Sequence, residues 1–307
     1  MLVKVLGSAA GGGFPQWNCA CRNCADVRRG APGLKPRSQS SLAVSVDGAN
    51  WCLLNASPDL RQQLAAYHYF SPDTASGSRH SPLRSVVLTN ADVDHVAGLL
   101  NLREGQPFSL YGSSRVLSAV AANPMFDVMQ DGVVNRISVS NGEVFEPDGC
   151  PGLAIEMFAV PGKIALYLER PEAGPSFGSD EGDVVGLKLI DQNSGVFACY
   201  APGCAHIDQR LLDKFSGASA LFFDGTLYTD DEMIAQGLSA KTGRRMGHIS
   251  MSGEDGSMAA LRHSDVQRRI YIHLNNSNPV LREDSPERRA VETAGWVVAE
   301  DGMEITL

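Results

Sequence analysis

Ser85-Val-Val-Leu-Thr89 runs straight into Asn90-Ala-Asp92-Val-Asp94-His95-Val-Ala-Gly98. The first five residues form a β-branched, apolar run of strand length, and helical spacing takes over from 95 to 103. Two carboxylates and an imidazole therefore gather where a buried strand gives way to a helix, the usual place for a site on an α/β scaffold. The same arrangement recurs further along the chain. Leu221-Phe-Phe-Asp224-Gly-Thr226 puts a carboxylate at the end of an apolar strand, Arg269-Arg-Ile-Tyr-Ile-His273-Leu-Asn275-Asn276 does so with a histidine, and Gly247-His248-Ile-Ser250 adds a histidine in a turn. Strand-end Asp and His residues repeated in this way are the pattern of a metal centre, because imidazole and carboxylate are the ligands that zinc, iron and copper share.

Further strands are expected at 2–6, 42–46, 51–54, 108–111, 153–158, 164–169, 184–190 and 196–200, by the same apolar and β-branched signal. Helices are expected at 58–67 behind a Ser57 N-cap, and at 114–121, 206–215, 230–236, 257–263 and 286–293. Runs of successive strands between helices, in both halves, predict an α/β (α+β) fold. Two mixed sheets pack face to face with helices outside, in a single domain over 1–307. Segments 71–84 and 171–183 combine Pro, Gly, Ser and charge, and read as mobile loops over the surface or over a site.

With 43% hydrophobic and 20% charged residues, the chain is globular rather than disordered. Its 26 basic and 35 acidic side chains leave a net charge of -9, which argues against nucleic acid or anionic lipid as a partner and for small molecules or proteins. No run approaches transmembrane length, and the N-terminal strand turns into glycine too early for a secretory signal, so a cytoplasmic location is expected. In a reducing compartment clustered cysteines are metal candidates. Cys19-Ala-Cys21-Arg-Asn-Cys24 holds three of the seven cysteines in C-x-C-x-x-C spacing, which predicts a structural zinc (Zn2+) site that still lacks its fourth ligand. Cys52, Cys150, Cys199 and Cys204 lie in or beside apolar segments and read as small buried hydrophobes. Gly7-Ser-Ala-Ala-Gly11-Gly-Gly13-Phe14 fits neither dinucleotide nor P-loop spacing, and with no helix-forming segment expected after it, close backbone packing is its expected use.

Taken together these residues resemble the metallo-β-lactamase superfamily, whose H-x-H-x-D-H motif stands in the place of Asn90-Ala-Asp92-Val-Asp94-His95. The resemblance implies a four-layer αββα sandwich. It also implies that the first-metal ligands are replaced by Asn90, Asp92 and Lys163, the last following Pro161-Gly162, while the second-metal ligands Asp94, His95, Asp224 and His273 remain. One metal is then expected. Within the superfamily the whole chain is similar to the pyrroloquinoline quinone (PQQ) biosynthesis protein B family. The shared stretches are Gly11-Gly-Gly-Phe-Pro-Gln-Trp-Asn-Cys19-Ala-Cys21, Leu88-Thr-Asn90-Ala-Asp92-Val-Asp94-His95, Phe223-Asp224-Gly-Thr226, Met246-Gly-His248-Ile-Ser250 and Ile272-His273-Leu-Asn-Asn-Ser-Asn278-Pro279. In related phosphodiesterases with the same cysteine triplet, a histidine three residues after the last motif histidine completes the zinc site. Here Asn276 holds that position, as the expected fourth ligand.

The family resemblance implies a cytoplasmic enzyme that hydroxylates the tyrosine ring of a cross-linked Glu-Tyr precursor towards a quinone. Dioxygen would be the co-substrate and a non-haem iron (Fe2+) the active metal, with zinc or copper (Cu2+) also suited to the ligand set. His248 is expected as an acid/base or substrate-orienting group, and Lys163 beside Asp92 as a replacement for the missing cation's charge. Arg244 and Arg245 are expected to receive substrate carboxylates. The expected partner is the small-molecule PQQ precursor, and a homodimer is left open. Two other classes stay open as well: a hydrolase using metal-activated water, and a carrier that moves PQQ or its precursor.

Overall fold

Apolar runs long enough to bury both faces become the inner strands of two sheets. The computed structural model describes the backbone of residues 1–307 and the side chains of all but Thr74 and Pro175, which fall in the segments 71–84 and 171–183. In chain order the strands are β1 (Leu2–Gly7), β2 (Ser41–Ser45), β3 (Trp51–Leu54), β4 (Leu83–Val87), β5 (Phe108–Gly112), β6 (Val134–Ser138) and β7 (Val144–Phe145). They continue with β8 (Leu153–Ala159), β9 (Val185–Asp191), β10 (Phe197–Ala201), β11 (Ala220–Asp224), β12 (Arg269–Ile272), β13 (Trp296–Val298) and β14 (Glu304–Thr306). One sheet runs β14-β1-β2-β3-β4-β5-β6, the other β13-β12-β11-β10-β9-β8-β7. Each is mixed in the same manner: β1 to β3 are antiparallel and β3 to β6 parallel, while β7 to β10 are antiparallel and β10 to β13 parallel.

Alternation along each strand assigns side chains to layers. Leu42 and Val44 of β2 and Cys52 and Leu54 of β3 meet Leu187, Tyr200 and Phe222 of the other sheet in a central core. Their neighbours Ala43 and Leu53 point the opposite way, beneath Leu60, Val116 and Val120 of helices Leu60–Ala66 and Ser114–Ala121. On the far side Leu221 and Phe223 of β11 pack under Leu211, Phe215 and Val291 of helices Gln209–Phe215 and Pro286–Thr293. The layers are therefore αββα, as expected.

Several expected elements differ. The segment 164–169 is not a strand: it carries a single 3-10 turn, Leu166–Leu168, because Ile164 donates its N–H to Ser179 Oγ and Tyr167 donates its hydroxyl to Ala91 O. Ser57 is not the N-cap of the following helix; Asp59 occupies that position, and Ser57 Oγ donates to Gln63 Oε1 at 3.0 Å instead. A helix, Arg22–Arg28, does follow the glycine-rich turn and carries Cys24. The segment 71–84 surrenders its last two residues to β4, and 171–183 lies beside the candidate site, with Phe177 under the Arg245 guanidinium at 3.6 Å.

Candidate metal centre

Three chain segments converge at the ends of the parallel strands. Asn90 follows β4 by a few residues, and the helix Val93–Val96 then carries Asp94 and His95. In the second sheet Asp224 closes β11 opposite Ile272 of β12, and His273 comes next. His273 has φ +62, a left-handed conformation that costs a non-glycine residue about 1–3 kcal/mol and collects at functional sites. The turn is held because Leu274 immediately pairs with the first sheet's chain, donating to Ser8 O at 2.9 Å and accepting from Ala10 N at 2.8 Å.

Hydrogen bonds fix which ring nitrogens are free. Asn90 Oδ1 accepts from the backbone N–H of Asp92 at 3.0 Å, which settles the orientation of its amide, and the same oxygen lies 2.7 Å from His95 Nδ1. That nitrogen must carry the proton, so Nε2 keeps its lone pair; it is buried and has no hydrogen-bond partner among the described residues. His273 is held in the same way. Thr226 Oγ1 donates to Asp224 Oδ1 at 2.7 Å and so accepts from His273 Nδ1 at 2.9 Å, leaving His273 Nε2 bare, 3.1 Å from Asp94 Oδ2. Asp94, His95 and His273 thus offer ligand atoms all within 4.8 Å of one another. Two imidazoles and one carboxylate around an orphaned buried nitrogen fit a divalent transition metal with coordination positions left open.

Asp224 does not join this set. Its Oδ1 takes the N–H and hydroxyl of Thr226, and its Oδ2 takes Cys204 N at 2.8 Å and His248 Nδ1 at 2.7 Å. With His248 and His273 it forms a second group close enough for an ion, but every oxygen direction is already used. Three of the four expected ligands thus gather in one set, while Asp224 orients His248 and, through Thr226, His273.

Electrostatics divides the labour further. Burial pushes His95 down to about 4, so the ring is neutral and ready to ligate. Burial works against ionising Asp94 too, but positive charge on the His95 and His273 side, whether their protons or a cation in their place, outweighs it and holds the carboxyl well below the usual range. Asp92 is raised to about 6, first by burial and then by the neighbouring Asp94 charge. Burial opposes charging His248, yet the Asp224 carboxylate prevails and raises it. These groups line a cavity of about 370 Å³, whose wall also includes Leu166, Met233, Met246, Lys163 and Lys241.

The cysteine triplet forms a separate cluster. Sγ atoms of Cys19, Cys21 and Cys24 lie within 4.8 Å of one another, and Asn276 donates its Nδ2 to them at 3.2, 3.6 and 3.3 Å, so the amide oxygen expected as fourth ligand would face the sulfurs only with the amide turned over. Burial pushes the Cys24 thiol up to about 12, a penalty that a soft cation removes because a coordinating thiol gives up its proton. Asn23 Nδ2 reaches the carbonyls of Asn276, Ser277 and Asn278 at 3.2, 3.2 and 3.0 Å, tying the cysteine helix to the loop after β12. The other four cysteines are buried and unpaired.

A family model described as beta-lactamase superfamily domain matches residues 50–274. Coenzyme PQQ synthesis protein B of a Methylorubrum extorquens strain is 51% identical over 307 residues, covering 100% of both chains. The protein of that name from Bradyrhizobium diazoefficiens is 47% identical with 99% of each covered. The crystal structure of Zn(2+)-bound PqqB from Methylobacterium extorquens superposes with a TM-score of 0.95 at 50% identity, with 100% of both chains covered. The chain belongs to the coenzyme PQQ synthesis protein B family. The metallo-β-lactamase fold also extends to a diphosphatase of the PhnP family, at 18% identity and a TM-score of 0.67.

The remaining expected residues of this family member take unexpected places. Lys163 lines the cavity but donates to Glu169 rather than to Asp92. Glu169 also accepts from Arg245 at 2.9 and 3.3 Å; Arg245 first, then Lys163, pulls its carboxyl down to about 2. Arg244 pairs with Asp255 at 3.0 Å. Neither arginine lines the metal cavity; both border the neighbouring cleft beside 171–183. Glu169 and Lys241 carry no motif and escape a sequence reading. Thr226 had a signal, since a hydroxyl two residues after an acidic strand end can fold back onto it. Among the described residues no helix is long and apolar enough to cross a membrane.

Proposed function

We propose that this chain performs an oxidative step of PQQ biosynthesis, hydroxylating the tyrosine ring of the cross-linked Glu-Tyr precursor at an iron(II) held by Asp94, His95 and His273. The observation that supports this reading is the pair of bare Nε2 atoms facing one carboxylate, a two-histidine, one-carboxylate set used by non-haem iron oxygenases. Bound there, iron(II) supplies one-electron chemistry and binds dioxygen. A phenol and one dioxygen yield an ortho-quinone and one water, so the overall step needs no external reductant. The protein's own contribution is to fix which nitrogen of each imidazole faces the metal position, to orient the ring in the cavity and to accept its protons. His248, backed by Asp224 at 2.7 Å, would take the phenolic proton, and Asp92, on the same cavity wall, a second. Cys19, Cys21 and Cys24 would hold a structural zinc outside the reaction, with Asn276 as fourth ligand through Oδ1 once its amide is turned over.

Anaerobic loading with iron(II), followed by the diamino-acid substrate and measured dioxygen, tests this reading. One dioxygen consumed per quinone is expected, with no turnover by zinc-loaded protein. Substrate cleavage without dioxygen would restore the hydrolase, and tight binding of substrate or PQQ without any uptake would restore the carrier.

A further inference from the structure

We propose that Lys241 forms an anion subsite on the wall of the metal cavity, taking a carboxylate of a small organic acid whose other end faces the metal ligands. The proposal rests on the reading of this cavity as the substrate pocket and adds the group that would set its polarity.

Two ammonium side chains line the cavity, Lys163 and Lys241, and they differ in what they face. Lys163 is paired with Glu169, and the same carboxylate holds Arg245. Arg244 is paired with Asp255. The cations first expected to meet an anionic substrate are therefore already matched by the protein. Lys241 is half-buried and has no carboxylate partner among the described residues, although acidic side chains outnumber basic ones by 35 to 26.

The stem of Lys241 is anchored at its root. Its backbone N–H is held by Ser239 Oγ at 3.1 Å, and the next residue, Thr242, caps helix Gly243–Met246 by accepting from Arg245 N at 3.2 Å. The root is fixed, and no carboxylate among the described residues neutralises the ammonium it carries at the cavity wall, so an incoming carboxylate would gain a charge-assisted hydrogen bond without displacing a protein partner. The acids on the same wall serve other groups: Asp94 faces His95 and His273, and Asp92 lies among Asp94, His248 and His273. Leu166, Met233 and Met246 supply the apolar surface of the cavity. A ligand with an aromatic or aliphatic body on these three side chains and a carboxylate at one end matches that order of surfaces.

The test compares two probes of one shape, 3-phenylpropionate and its neutral amide 3-phenylpropionamide, binding to zinc-loaded protein by calorimetry. The acid is expected to bind more tightly than the amide. Lys241→Met should weaken the acid by about tenfold or more while moving the amide less than twofold, and Lys241→Arg should restore most of the preference. Equal losses for both probes would show that the side chain only shapes the wall. An unchanged acid affinity in Lys241→Met would place the carboxylate on the metal, and no measurable binding of the acid to the parent protein would remove the subsite; each result overturns the proposal. Dioxygen uptake is not part of the readout, so the subsite and the iron chemistry can fail separately.

Discussion

Replacing Gly98 with alanine should loosen the metal centre without touching a ligand. Gly98 follows the short helix that carries Asp94 and His95, in the 3-10 turn Ala97–Leu102. Its N–H donates to Ala56 O at 2.9 Å while Ala56 N donates to His95 O at 2.7 Å, so two backbone bonds lace this segment to the exit of β3. A Cβ at Gly98 would stand 2.1 Å from Ser57 O and 2.8 Å from Ala56 C and O. All three are backbone atoms, so no side chain can swing aside. To reach even 3.0 Å, the shortest contact must open by about 0.9 Å, moving a segment that ends three residues from His95. Overpacking of this kind costs about 1–3 kcal/mol, a fall in Tm of roughly 2–5 °C for a domain of this size. A displacement near 1 Å at a constellation of ligands costs on the order of 100-fold in its function. The expected outcome for Gly98→Ala is a lower Tm together with a 10- to 100-fold weaker active-site metal, measured by chelator competition, with thiol-bound zinc retained. A variant that matches the parent in both Tm and metal affinity would refute the reasoning.

Thr226→Val should weaken metal at the Asp94, His95 and His273 centre about 10- to 100-fold, because His273 loses the acceptor that keeps its proton on Nδ1; Thr226→Ser, which keeps the hydroxyl, should bind nearly as well as the parent in the same titration. Glu169→Gln should destabilise the protein most at neutral pH. The folded-state value of about 2 lies below the ordinary 4.5, so this contribution is complete above pH 4.5 and fades as the pH falls towards 2. Urea unfolding of parent and variant should therefore diverge most at pH 6 and draw together as the pH falls from 4.5 to 2, and a gap that widens in acid would reverse the assignment. Cys21→Ser should remove one equivalent of tightly held zinc and lower Tm, read by metal analysis of the purified protein and by calorimetry.

The inner strands were legible because both of their faces are buried and their runs are continuously apolar; β3, 51–54, is read to the residue. The strands that escaped notice, β6, β7, β13 and β14, are the four edges of the two sheets. Edge strands are short or half in solvent: β6 exposes Asn135, and β14 alternates Glu304, Ile305 and Thr306 about a single buried residue. The error at 164–169 has the opposite origin, since an apolar run there covers the cavity mouth through Leu166 and pairs with no strand. Site residues at strand ends could be found from pattern alone. Their division into ligands and supports could not, because that depends on which oxygen of Asp224 meets which donor. Ion-pair choice was equally invisible: Glu169 lies six residues from Lys163 but 76 from Arg245.

The loop gripped by Asn23 gives the two candidate metal sites a common fate. His273 and Asn276 stand three residues apart on one short span of chain, and the three carbonyls held by Asn23 belong to that span's far end. With a metal in the thiol cage, this grip would be a clamp on the segment that presents His273. Without it, the left-handed turn at His273 has lost one of its moorings. Metal in the thiol cage and metal at the Asp94, His95 and His273 centre would then be gained and lost together, the first securing the span that presents His273.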